Sequence, residues 1–112
     1  MAPSTLTINT NALTRLVKEK LSYIKEAQQQ EARIKKLEDN PNDENAEYML
    51  GQEQRGLDQT KAVSLSLQIK ISEAIGTLQQ QIEAVEKSGD GDEAELTKAR
   101  ETLKTGTDAI SE

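Results

Sequence analysis

The chain has 112 residues, 34% of them hydrophobic and 30% charged, with a formal net charge of −6 and no Cys, His or Phe. That length fits a single domain spanning 1–112, and with Tyr23 and Tyr48 as its aromatics it cannot fill a broad core, since aromatic rings normally supply much of the buried area. Without Cys or His it has no disulfide, no thiolate ligand and no imidazole base, so a reducing compartment and a non-catalytic role are expected.

The remaining option is narrow Leu/Ile/Val seams between long helices. The chain is rich in Ala, Glu, Lys, Leu and Gln, all good helix formers, so an elongated all-α helical bundle with coiled-coil-like packing is predicted. No apolar run approaches the ~20 residues a membrane span requires, and the N-terminus has no secretory apolar stretch. The expectation is a cytoplasmic protein with no membrane partner.

Met1 to Ile8 read as an extended Ser/Thr-rich lead, with Asn9, Thr10 or Asn11 capping a first helix over residues 10–39. At ~100° per residue, Leu13, Leu16, Val17, Ile24, Ala27 and Ile34 gather on one side of it. Arg15, Lys18, Ser22, Lys25, Gln29, Arg33 and Lys36 gather on the other, five basic residues without an acid. Lys20 and Glu31 fall near the centre of the apolar stripe. Either their stems reach out to solvent, or they form a polar layer that fixes register. Asn40-Pro41-Asn42 should stop this helix, because the residue before a proline is pushed out of helical geometry.

Asn42 or Asp43 is expected to cap a second helix over residues 43–87. Its seam recurs every seventh residue at Leu50, Leu57, Ser64, Ile71, Leu78 and Val85, with Ile75 and Ile82 at companion positions. One stretch disagrees: Val63, Leu65, Leu67, Ile69 and Ile71 alternate with Ser64, Ser66, Gln68 and Lys70, which is strand periodicity. A lone strand would have no pairing partner, and helical patterning flanks it on both sides, so the helix is expected to continue. Ser88-Gly89-Asp90-Gly91 is a turn. Asp92 with Glu95 then begins a third helix, 92–110, like a capping box, and this helix buries Leu96, Ala99, Leu103 and Ile110.

Chemistry-bearing motifs are missing. No GxxxxGK[ST], GxGxxG or GxSxG pattern occurs. Asp90-Gly91-Asp92-Glu93 lacks the ligand spacing and terminal Glu of a calcium loop, so neither a metal nor any other cofactor is expected. Nucleic acid is disfavoured by a pI near 4.8 and by a lack of aromatics interleaved with the basic residues. Charge is nonetheless divided. Residues 1–38 carry seven basic and four acidic side chains, and residues 39–112 carry seven and sixteen. Attraction between the first helix and the other two explains charges flanking the seam. A basic stripe opposite the buried face points instead to an acidic protein partner.

Arg15-Leu16-Val17-Lys18-Glu19-Lys20, Tyr23, Lys25-Glu26-Ala27, Gln29-Gln30-Glu31 and Ile34 resemble the first helix of the tubulin-specific chaperone A (tubulin-binding cofactor A) family. The likeness continues more thinly through Tyr48, Leu50, Leu57, Ala99-Arg100 and Leu103. It implies an antiparallel three-helix bundle that captures β-tubulin in the cytoplasm and holds it for the other tubulin-folding cofactors, without nucleotide or metal, as a monomer or homodimer. Tubulin is strongly acidic, which suits the stripe. Family members commonly carry a proline in mid-helix two, where this chain has Ser64-Leu65-Ser66, so a helix straighter than theirs is expected and their bundle curvature is not carried over. The expected contacts are Arg15, Lys18, Lys25, Gln29, Arg33 and Lys36, joined by apolar Leu65, Leu67 and Ile69. The competing reading is a structural helical subunit that self-assembles or binds a scaffold.

Overall fold

The computed structural model describes residues 3–40 and 44–111. Within them are three helices and no strand: α1 (Thr5–Glu38), α2 (Ala46–Ser88) and α3 (Glu93–Ser111). The all-α reading holds, and α2 passes unbroken through both the strand-like stretch and Ser64-Leu65-Ser66.

The helix starts depart from the sequence reading: α2 begins at Ala46 rather than at residue 43, and the start of α1 departs further. α1 begins at Thr5, about a turn and a half before the expected start at residue 10, and its cap is Ser4, whose Oγ accepts the Thr7 N–H at 3.1 Å. Local propensity misled because Leu6 enters the core, with 3% of its surface exposed, and draws the preceding turns into helix. Thr10, a candidate cap, is instead buried inside α1 and donates its hydroxyl to the Leu6 carbonyl at 2.7 Å. At the other end Asn40 Nδ2 donates to the Lys36 carbonyl at 2.9 Å, satisfying an acceptor that the helix end leaves open. The caps expected at Asn42 or Asp43, and the stop at Pro41, lie outside the described residues.

Between α2 and α3, Gly89 adopts φ +72°, the left-handed conformation that glycine reaches without strain, and closes α2 by donating to the Val85 carbonyl at 3.1 Å. Asp92 caps α3 as expected, its Oδ1 accepting the Ala94 N–H at 3.3 Å. Glu95 does not complete a capping box. Its Oε1 accepts hydrogen bonds from Thr7 Oγ1 at 3.0 Å and Ser4 Oγ at 3.2 Å, tying the start of α3 to the start of α1.

The helices form two packed units. The first comprises Met1–Glu19 and Leu67–Glu112, so it contains the beginning of α1, the later part of α2 and all of α3. Leu6, Leu13, Val17, Ile71, Ile75, Leu78, Ile82, Leu96 and Ala99 make its core, with Leu103 and Ile110 half-buried against it. Leu13, Ile71 and Leu78 are fully enclosed, each contributing about 1.5–3 kcal/mol of apolar burial. Thr7 meets Glu95 and Leu13 meets Gly106, so α1 and α3 run in the same direction. Arg100 pairs with Glu86 across the turn at 3.1 Å, which sets α2 antiparallel to α3.

The second unit, Lys20–Ser66, is the hairpin of the rest of α1 and the earlier part of α2. Arg33 pairs with Glu53, and Gln30 lies beside Gly56, the rising and falling numbers of an antiparallel pair. Ile24, Ala27, Ile34, Leu37, Leu50 and Leu57 are half-buried along its seam. Its most enclosed side chains include polar ones, Lys20 at 5%, Gln30 at 6% and Thr60 at 6% exposure. Glu31 is exposed, as a residue with its head in solvent should be. Lys20 departs from that pattern: it is buried and is not left without a partner.

Among the glycines inside the helices of the first unit, Gly106 makes the closest approach, since a Cβ there would stand 3.0 Å from Leu13 Cδ2. Alanine would recover about 1 kcal/mol of helix propensity and mask the clash. Gly106→Val gains less propensity and meets Leu13 more fully, so urea denaturation should show a loss of about 1–3 kcal/mol. An unchanged midpoint would refute this packing.

Candidate partner-binding surface

The polar side chains named from the sequence are exposed: basic Arg15 and Lys18 in the first unit, and basic Lys25, Arg33 and Lys36 with neutral Gln29 in the second. They lie on α1 because its inward rows take up the apolar positions, leaving residues about half a turn away to face water. Arg33 differs from the rest. Its Nε donates to Glu53 Oε1 at 2.8 Å, with the two side chains 52% and 26% exposed. The attraction between the basic first helix and the acidic second thus operates at this residue. Arg33 both staples the hairpin and shows half of its side chain to solvent.

The apolar candidates divide. Leu65 is 67% exposed and Ile69 is 62% exposed, whereas Leu67 is only 5% exposed. Leu67 is therefore corrected from a surface contact to a buried residue. Helical spacing explains the difference: Leu67 and Ile71 are four residues apart and face inward, while Leu65 and Ile69 are four apart and face outward. The alternating pattern was two helical ladders on opposite sides. Leu67→Ala should cost about 2–5 kcal/mol of stability, and Leu65→Ala should stay within about 0.5 kcal/mol. Thermal or chemical melts of the two variants check the assignment, and equal losses would contradict it.

Sequence reasoning missed other exposed apolar side chains. Tyr48 is 67%, Met49 45% and Leu21 53% exposed. Tyr48 accepts a hydrogen bond from Gln52 Nε2 at 2.9 Å, which holds the ring along α2. Met49 lines a cleft of about 340 Å³ with Leu37, Asn40, Arg33, Lys36 and Glu53. The available signal was the off-seam position of Met49, one residue before the Leu50 stripe.

A second cleft in the hairpin, about 250 Å³, is lined by Tyr23, Glu26, Gln30, Gly56, Gln59, Thr60 and Val63. Gln30 Oε1 is buried there without a hydrogen-bond partner, while Thr60 satisfies its own hydroxyl on the Gly56 carbonyl at 3.0 Å. An unpaired buried acceptor costs about 1–3 kcal/mol. Gln30→Leu, close in volume and without that acceptor, should therefore raise the unfolding midpoint, and a lowered midpoint would show that the amide is paired in solution.

Among the described residues no group of three or more Asp or Glu is placed to hold a metal ion, and no helix is long and apolar enough to cross a membrane. Fold and surface together describe an all-helical protein that exposes basic and apolar side chains on its two long helices. Residues 1–103 match the family model for tubulin binding cofactor A, and the chain is a member of that family. No curated protein and no solved structure matches it. Its role is that of a tubulin-binding cofactor.

Proposed function

We propose that this protein captures β-tubulin in the cytoplasm and holds it for transfer to the other cofactors that assemble the αβ heterodimer. The capture is non-catalytic and uses neither nucleotide nor metal. The reading rests on the family match over residues 1–103. It is supported by exposed basic side chains on α1 of a chain whose net charge is −6. Uniform positive charge on an otherwise acidic protein attracts an acidic partner and orients it, since the rest of the surface repels it.

Arg15, Lys18, Lys25 and Lys36 supply charge-assisted hydrogen bonds to carboxylates. Arg33 adds the part of its guanidinium not engaged by Glu53, and Gln29 a neutral donor and acceptor among them. Exposed charges gain little once they are solvated, so the hold comes from apolar contacts such as Leu65 and Ile69. Association with the cytoskeleton is through tubulin itself.

Lys18→Glu combined with Lys25→Glu should slow association with β-tubulin about tenfold at low ionic strength. The difference should shrink as salt screens the charges. Circular dichroism should show intact helicity, because both side chains are exposed. Stopped-flow association rates that match wild type at low salt would remove the basic face from the mechanism. A pull-down retaining α-tubulin as well as β-tubulin would remove the subunit preference.

A further inference from the structure

We propose that the cleft beside the α1–α2 connection receives an apolar side chain flanked by carboxylates, presented by an acidic segment of the partner protein. This inference rests on the tubulin-capture reading for the partner's identity. The cleft itself rests on its own geometry. Its floor is apolar, formed by half-buried Leu37 and by Met49, which is 45% exposed. Its rim is basic, with Arg33 and Lys36 one turn apart on α1. At about 340 Å³ it lies at the small end of ligand pockets, a size suited to one side chain rather than a cofactor.

Charge decides the occupant. Glu53, the acidic residue of the lining, is already held by Arg33 Nε at 2.8 Å. Asn40 directs its amide to the Lys36 carbonyl at 2.9 Å and so is also engaged. The rim is left with the Lys36 ammonium and the outer edge of the Arg33 guanidinium, an excess of one positive charge over an apolar floor. A basic segment is repelled there, and a purely apolar one leaves the Lys36 ammonium and the outer N–H groups of Arg33 facing no acceptor. A leucine or phenylalanine between aspartate and glutamate satisfies floor and rim together. Met49 suits the floor because its unbranched thioether adapts to either ring or branched chain. The Arg33–Glu53 pair has a second consequence: it holds the guanidinium in one orientation before a partner arrives, reducing the ordering cost of binding.

The test uses the full-length protein labelled with nitrogen-15 and two blocked tetrapeptides, one reading aspartate-leucine-phenylalanine-glutamate and one with lysine at both ends. The acidic peptide should give saturable shifts centred on Arg33, Lys36, Leu37 and Met49. The basic peptide should bind roughly tenfold more weakly, and so should the acidic peptide to Lys36→Glu, an exposed substitution that leaves the fold intact. Equal binding of the two peptides, or shifts centred elsewhere, would overturn the proposal. Retention of β-tubulin by a protein that gives no peptide shifts refutes the cleft alone. Loss of β-tubulin binding with the peptide shifts intact refutes the functional reading and leaves the cleft standing.

Discussion

The register of α2 is the constraint on which the remaining structure depends. Two inward rows run its whole length, Leu50–Leu57–Ser64–Ile71–Leu78–Val85 and Ala46–Glu53–Thr60–Leu67–Ala74–Gln81, and every member of both is buried or half-buried. Alternating steps of four and three residues keep both rows on one side of the helix. A third row decides how many helices surround α2. In the first unit it carries exposed Gln68 and then Ile75 and Ile82, both buried, where α3 is present to receive them. In the second unit the same row carries Glu47, Gln54 and Lys61, all exposed. A third helix would have to bury these polar groups at a cost of several kcal/mol, so that stretch is a two-helix hairpin.

The same distinction shows what could be read from the sequence. Period and chain order were sufficient for three helices, for the seam through Leu50 to Val85 and for the turn at Gly89, because those signals are local. The start of α1 was not legible. Thr5, Thr7 and Thr10 are indifferent helix formers, and only the burial of Leu6 and the reach of Glu95 across to Ser4 and Thr7 make the early turns worthwhile. Leu67 was misread for a related reason. Alternation names two faces but not which one meets a neighbour, and the row through Thr60 and Leu67 was hidden because Thr60 and Glu53 do not look like core residues. The basic face was legible as exposed, but the Arg33–Glu53 pair required knowing how α1 and α2 align.

Apolar burial is distributed unevenly, which bears on function. All nine residues of the hydrophobic core lie in the first unit. Among the described residues of the second, the buried positions are Ala46 and the polar Lys20, Gln30 and Thr60. Regions with few buried apolar contacts open at lower free-energy cost. The first unit thus carries the larger share of stability, and the hairpin carries much of the surface chemistry: four of the six polar contact candidates, together with Leu65, Tyr48 and Met49, belong to it.

This division suits the proposed capture and later release of a partner. A large apolar interface binds a client tightly but resists hand-off, and a wholly charged one is screened at cellular ionic strength. The hairpin combines separated basic side chains with small exposed apolar groups at 39–67% exposure, including Val63 and Leu65. Charges of this kind influence mainly the rate of encounter, whereas desolvated apolar contacts influence mainly the rate of escape. Because different residues govern the two rates, capture can be fast without the complex being long-lived. In the proposed capture the acidic remainder of the chain reinforces this: with residues 39–112 carrying sixteen acids against seven basic groups, an acidic client would be repelled in most orientations and would approach through the basic side of α1. On that proposal the negative charge of the whole is part of how the positive helix would select its partner.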